Sequence, residues 1–230
     1  MKKILVTGAS GFLGRRIKEF YSRAYEVYAP GHGDMDITDR EKVYAFFREL
    51  KPNFVIHSAA VSDVGMCERE PKRSREINVD GSRNIALASA KFHSKCLICS
   101  SDQIYFGSKA PGPHTEEEQV KPLNVYGRQK KEAEEECLAQ NPECVLLRLS
   151  WMYDTMAKSE QEHGDFFRTL ALGLQAKEVL RNPVHDVRGI TDVNEVVRNL
   201  EQAFHLKGGV YNFGSTNDRN TYETVVELFR

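Results

Sequence analysis

The first fourteen residues constrain this chain more than any other stretch. Ile4-Leu5-Val6-Thr7-Gly8 reads as a short buried strand. It runs into Gly8-Ala9-Ser10-Gly11-Phe12-Leu13-Gly14 and then the helical run Arg15-Arg16-Ile17-Lys18-Glu19-Phe20. A strand, a glycine turn and a helix in that order build a phosphate site. Gly8 allows the tight turn, Gly11 lets backbone N–H groups approach a pyrophosphate, and Gly14 lets the helix pack closely on the strand. The helix N-terminus adds free N–H groups and a positive dipole end. The spacing departs from the usual G-x-G-x-x-G fingerprint. A strand-to-helix turn with no ligand is the plainer alternative at this point.

The rest of the chain alternates strand and helix patterns, which predicts a parallel sheet with crossover helices. Strands are expected at Tyr25–Ala29, Phe54–His57, Cys96–Cys99, Val145–Leu149 and Val210–Phe213. Helices are expected at Asp39–Phe47 (with Thr38 as N-cap), across Pro71–Phe92, and at Val125–Gln140, Phe166–Gln175, Asn194–Phe204 and Tyr222–Phe229. Ser108 to Pro122 reads as a loop with three prolines. Past Ser150 the pattern loosens. The expected organisation is a doubly wound α/β domain over residues 1–150 and a small lobe over 151–230, interleaved with the sheet.

Length and charge narrow the function classes. A chain of 230 residues with a formal net charge of -1 suits a single globular unit and gives no electrostatic reason to expect nucleic acid or a membrane surface. No apolar run approaches the roughly 20 residues of a membrane span. Met1-Lys2-Lys3 precedes too few apolar residues for a signal-peptide core. A cytoplasmic setting is expected. The five cysteines are scattered, and the one close pair, Cys96 and Cys99, falls on a strand. Spacing three on a strand sends the two thiols to opposite faces, so structural thiols are expected and no metal site.

Two further signals carry chemistry. Tyr126 and Lys130 stand four apart on a helix and share a face. A phenol near pKa ~10 is a poor acid-base group at neutral pH. A nearby ammonium favours the phenolate and is expected to lower that value. The pair suits proton transfer to a carbonyl beside a nicotinamide. With nine tyrosines and a charged helix, a chance match is the alternative. Ser100-Ser101-Asp102 sits at the carboxyl end of the fourth strand, the edge at which open parallel sheets bind ligands. A hydroxyl there can donate to an oxygen on which charge builds. It can equally cap the next turn.

A glycine turn after strand one, a serine after strand four and Tyr-x-x-x-Lys on the next helix together resemble the extended short-chain dehydrogenase/reductase family. The resemblance is greatest to the dTDP-4-dehydrorhamnose reductases and their sugar-nucleotide relatives. It runs through Val6–Gly14, Asp36-Ile37-Thr38-Asp39, Lys51–Ala60, Ile77–Asn84, Ser100–Tyr105, Pro122–Lys130, Leu147–Tyr153 and Arg188–Val196. It implies a Rossmann-type fold and reduction of the keto group of a nucleotide-linked sugar. Ser101, Tyr126 and Lys130 would be catalytic, with Tyr126 as proton donor. Gly8, Ser10, Gly11, Phe12, Leu13, Gly14, His32, Asp36, Ile37, Ala59, Ala60, Asn78, Ser100, Tyr126 and Lys130 would bind the dinucleotide. Ser62, Asp102, Trp151 and Arg188 would bind substrate, with Arg188 on its diphosphate.

The chain departs from the family pattern at Gln103, Phe106 and Asp154. It stops at Arg230, where relatives continue with a segment that closes the sugar-nucleotide pocket, so an incomplete substrate lobe is expected. The end of strand two, Ala29-Pro30-Gly31-His32, has no carboxylate for ribose hydroxyls. Arg15 and His32 near a 2′-phosphate favour NADP over NAD, with Arg15 as a solvated helix residue the alternative. A homodimer is the expected assembly if the chain self-associates. The second functional expectation is a non-catalytic NADP-binding regulatory subunit resembling the methionine adenosyltransferase beta subunit.

Overall fold

A computed structural model of the chain describes residues 1–110, 112–154 and 166–228. β1 (Lys3–Thr7) leads into α1 (Phe12–Tyr21), followed by β2 (Glu26–Tyr28), α2 (Arg40–Leu50) and β3 (Phe54–His57). Two short helices, α3 (Val64–Arg69) and α4 (Pro71–Arg75), precede a π-helical segment at Glu76–Gly81. This runs directly into α5 (Ser82–Lys91). β4 (Lys95–Ser101), a 3₁₀ turn (Asp102–Tyr105), α6 (Val125–Gln140) and β5 (Val145–Leu149) complete the first part. After β5 come β6 (Trp151–Tyr153), α7 (Phe166–Gln175), β7 (Ile190–Asp192), α8 (Val193–Ala203), β8 (Gly209–Phe213) and α9 (Thr221–Leu228).

Six strands form one parallel sheet in the order β2-β1-β3-β4-β5-β8. The fold is therefore the doubly wound α/β architecture that the alternation of elements predicts. Chain order reverses on either side of β1, and the crevice between the β1 and β3 ends is where ligands bind in such sheets. The sheet strands are apolar on both sides, as a sheet covered on both faces requires. One face packs Leu13, Ile17 and Tyr21 of α1 with Val196, Val197 and Leu200 of α8. The other packs Val43 and Phe47 of α2 with Ile85 and Ala88 of α5 and Cys137 of α6. Cys96 lies in the second layer and Cys99 in the first, so the pair points to opposite faces as its spacing predicts. β8 and α8 complete the main sheet and its cover, so residues after 150 are woven into the sheet.

Several local details differ from expectation. Asp39, rather than Thr38, caps α2, accepting from Glu41 N and Lys42 N at 3.1 Å each. The Thr38 hydroxyl instead donates to Asp36 Oδ1 at 2.7 Å. The stretch Pro71–Phe92 is continuous but contains the π-helical segment, which no residue pattern announces. α3 and the two-stranded sheet of β6 and β7 were not expected. Phe229 of the last helix lies outside the described residues. Asp154, a departure from the family pattern, meets Arg16 Nε at 2.6 Å, and both side chains are almost fully covered. Among the described residues no helix is long and apolar enough to cross a membrane.

One buried histidine ties the sheet together. His57 Nδ1 lies 2.7 Å from Thr7 Oγ1 on β1, and Nε2 lies 3.0 Å from Ser82 Oγ on α5. Burial, aided by the Lys130 charge, pushes its pKa down to about 3. The unfolded chain takes up a proton near pH ~6.5, whereas the folded chain resists it. Folding stability from this group is therefore present above that pH and is lost as the pH falls toward 3. The slope should approach about 1.4 kcal/mol per pH unit. Urea unfolding of the parent and of His57→Asn between pH 6 and 4 checks this. The parent should lose stability faster by roughly that slope, and parallel curves would show that His57 is not buried neutral.

Candidate active site

The glycine turn forms the floor of the site. Gly8 has φ +71°, and a Cβ there would lie 2.6 Å from Ala59 N, so the turns after β1 and β3 touch backbone to backbone. A Cβ on Gly14 would lie 2.2 Å from Gly8 O, so the first turn of α1 rests on that same turn. Gly11 is the N-cap of α1, and no side chain caps the N–H groups behind it. A Cβ on Gly11 would meet only Gly8 O, at 3.3 Å, and is otherwise in open space. A short backbone cradle with uncapped N–H groups is what a pyrophosphate requires, and the residues present fit a dinucleotide.

A single cleft of about 1210 Å³ runs from this cradle across the carboxyl ends of β1, β3, β4 and β5. It is lined by Gly8, Ser10, Gly11, Phe12, Leu13 and Gly14 and by His32, Asp36 and Ile37 at one end. Ala59, Ala60, Ser62, Ser100, Ser101, Asp102, Tyr126, Lys130, Trp151 and Arg188 line the remainder. The structure therefore gathers every expected site residue around one space except Asn78.

Asn78 is fully buried in the π-helical segment and does not line the cleft. Its Oδ1 accepts from Val61 N at 2.8 Å, and its Nδ2 donates to Val61 O at 3.1 Å and Gln129 Oε1 at 2.9 Å. These bonds hold the cleft-lining loop after β3 against α6, so Asn78 supports the wall from behind. Arg15 does not line the cleft either; it reaches Ser10 O at 3.3 Å. Lys18, one turn further along α1, does line it. So do Thr169, Leu170 and Asn182, which lie where the sequence pattern is loose and carry no motif.

Tyr126 occupies the first turn of α6, where Asn124 Oδ1 accepts from Gly127 N at 2.6 Å and Glu68 Oε1 accepts from Val125 N at 2.7 Å. Burial pushes the phenol pKa up, against the pull of a hydrogen bond from Ser101. This is the opposite of the lowering expected from Lys130. That lysine is itself buried, and burial holds its pKa below the usual range. Its Nζ donates to Cys99 O at 2.7 Å and sits 5.7 Å from the Tyr126 ring centroid. Desolvation is the largest influence on both groups and disfavours charge on each.

Ser101 lines the cleft, and its Oγ also accepts from Gln103 N at 3.2 Å, capping the turn that follows β4. The Ser100 hydroxyl donates to Glu134 Oε1 at 2.5 Å. Arg188 lies over the Trp151 ring, 4.3 Å from its centroid. Its Nε donates to Asp102 Oδ2 at 3.0 Å, and a second nitrogen reaches Asp102 Oδ1. The guanidinium fork expected on a diphosphate is thus held by a carboxylate at the mouth of the same cleft.

The family model described as RmlD substrate binding domain matches residues 1–230, and the chain belongs to that family. A dTDP-4-dehydrorhamnose reductase of Aggregatibacter actinomycetemcomitans is 28% identical over 239 residues, covering 100% of this chain and 79% of that protein. The rat methionine adenosyltransferase 2 subunit beta is 29% identical over 168 residues, covering 70% of this chain and 50% of that protein. Among solved structures, a dTDP-4-dehydrorhamnose reductase ortholog from Clostridium acetobutylicum superposes with a TM-score of 0.88 at 31% identity, covering 99% of this chain and 79% of that chain. The Bacillus anthracis dTDP-4-dehydrorhamnose reductase, solved in complex with NADP, gives 0.89 at 25% identity, covering 100% and 80%.

The cradle geometry separates two glycines. Gly14→Val should cost stability at or beyond the upper end of the roughly 1–3 kcal/mol typical of overpacking, because backbone blocks its Cβ. Gly11→Ala should change stability by less than about 1 kcal/mol. Urea unfolding of both variants checks this, and equal losses would contradict the arrangement described.

Proposed function

We propose that this family member reduces the keto group of a nucleotide-linked sugar of the dTDP-4-dehydrorhamnose type, with NADPH preferred over NADH. The observation that carries the reading is that Ser101, Tyr126 and Lys130 share one cleft with the glycine cradle and with Arg188. Residues 1–150 would hold the dinucleotide, and residues 151–230 would supply the sugar-nucleotide side through Trp151 and Arg188. The bound cofactor would deliver hydride to the ketone carbon. Tyr126, kept protonated by burial, gives its proton to the ketone oxygen. Ser101 hydrogen-bonds that oxygen as charge grows on it. Lys130 faces the phenolate that remains and also holds the ribose.

The preference for NADPH is supported by the end of β2, which carries no carboxylate, and by the basic side chains His32 and Lys18, which both line the cleft. A regulatory, non-catalytic role, the alternative that the resemblance to methionine adenosyltransferase beta subunits implies, would leave no reason for these three residues to converge on one cleft.

Tyr126→Phe removes only the phenol oxygen. Turnover of a dTDP-4-keto sugar, followed by nicotinamide absorbance, should fall by roughly 10²–10⁴. NADPH affinity by calorimetry should change far less than turnover. Parental turnover by the variant would make Tyr126 a structural helix residue, and dinucleotide binding with no turnover of any keto sugar by the parent would favour the regulatory role.

A further inference from the structure

We propose that Glu134 is a positioning residue that sets α6 against the sheet at the height where Tyr126 meets Ser101. This rests on the reading of Tyr126 as proton donor. Tyr126, Lys130 and Glu134 recur at intervals of four along α6 and form one inward stripe, the residues being 8%, 6% and 4% exposed. The first two line the cleft and the third lies behind it.

The Glu134 carboxylate is fully engaged. Arg148 donates from Nε to Oε1 at 3.0 Å and from Nη2 to Oε2 at 2.8 Å. Ser100 donates to the same Oε1 at 2.5 Å. Ser100 and Arg148 face each other across the β4–β5 ladder, so one carboxylate fixes the helix to two adjacent strands. Ser100 is the immediate neighbour of Ser101. Arg148 Nη1 also donates to the Tyr105 hydroxyl at 2.7 Å, which donates to Asn212 Oδ1 on β8 at 2.8 Å. A single directional network therefore links α6, β4, β5 and β8.

Its value is register rather than stability. A buried ion pair adds little over apolar residues of the same volume. Apolar packing, however, tolerates small slides that a bidentate fork does not. Tyr126 lies eight residues from Glu134, about 12 Å along a rigid helix, so a slide at one end is carried to the other. A misplacement of about 1 Å can cost about 10²-fold in rate.

The test replaces the pair together, Glu134→Leu with Arg148→Met, so that no charge is left buried alone. The proposal expects kcat to fall by about tenfold or more. KM for the sugar nucleotide should stay within about twofold, since Trp151 and Arg188 are not touched, and Kd for NADPH should change far less than kcat, since the glycine cradle is not touched. In a Tyr126→Phe background the same replacement should cost nothing further, because the group it positions is gone. An equal loss in both backgrounds, or a loss confined to KM or Kd, overturns the proposal. If the paired replacement does not fold, Glu134→Gln is measured in the same way. If the parent turns over no keto sugar, the functional reading fails by itself. The positioning claim is then read from the fluorine resonance of Tyr126 in fluorotyrosine-labelled protein, assigned by its loss in Tyr126→Phe. The resonance should move in the Glu134 variant, and an unmoved resonance overturns the proposal.

Discussion

The structure depends first on a contact in which no side chain takes part. The first turn of α1 rests on the backbone of the turn before it, and that turn rests on the backbone after β3. Three segments approach so closely that Gly8 and Gly14 admit no Cβ. The floor of the cleft is therefore peptide, and its polar groups are N–H donors at a helix start. Because the chain order reverses around β1, the crevice opens directly above this floor. The same contact that closes the first strand–helix unit thus creates a place where an anionic ligand can meet several backbone donors at once.

The walls depend on buried polar groups that join elements distant in sequence. His57 links β3 to β1 and α5. Asn78 links the π-helical segment to the loop after β3 and to Gln129 of α6. Glu134 and Arg148 link α6 to β4 and β5. Each neutral group would carry a desolvation penalty of about 1–3 kcal/mol if left unpaired, and the charged Glu134 and Arg148 more. Their net contribution to stability is accordingly small, and what they supply is direction. Apolar layers on both faces hold the sheet and its helices together, while these hydrogen bonds decide how far each helix stands along its strand.

This division explains what was legible in the sequence. Apolar runs, glycine turns and charged helices announce the layers, so β1, β3, β4, β5, β8, α2 and α6 are found close to where their patterns place them. Some cleft residues were legible for a related reason: the sheet edge collects what ends each strand or opens the next helix, as Ser101 ends β4 and Tyr126 opens α6, whereas Arg188, just ahead of β7, was legible only through the family resemblance. Short polar elements were not legible. α3 and the β6–β7 pair bury little, so they carry no periodicity to read. The π-helical segment has no residue signature of its own. Asn78 was assigned to the dinucleotide from its resemblance to the family's central-helix asparagine, yet its side chain turns away from the cleft to satisfy the Val61 backbone. Glu134 looked like one more charge on a solvated helix, and only the i, i+4, i+8 alignment with Tyr126 and Lys130 could have marked it as buried.

The Tyr126–Lys130 pair shows how a correct contact can be given the opposite sign. From spacing alone an ammonium beside a phenol should lower the phenol pKa. In the folded chain the two side chains do share one wall, but burial raises the tyrosine and lowers the lysine. The favoured resting state is then a protonated phenol, which is the state a proton donor needs. The same dry surroundings make the phenolate costly once the proton has left. At that moment a cation 5.7 Å from the ring matters most, since charge–charge attraction grows as water is excluded. In the proposed reaction, Lys130 therefore acts on the phenolate that proton transfer leaves behind rather than on the resting phenol, and the desolvation that opposes ionisation at rest strengthens that attraction.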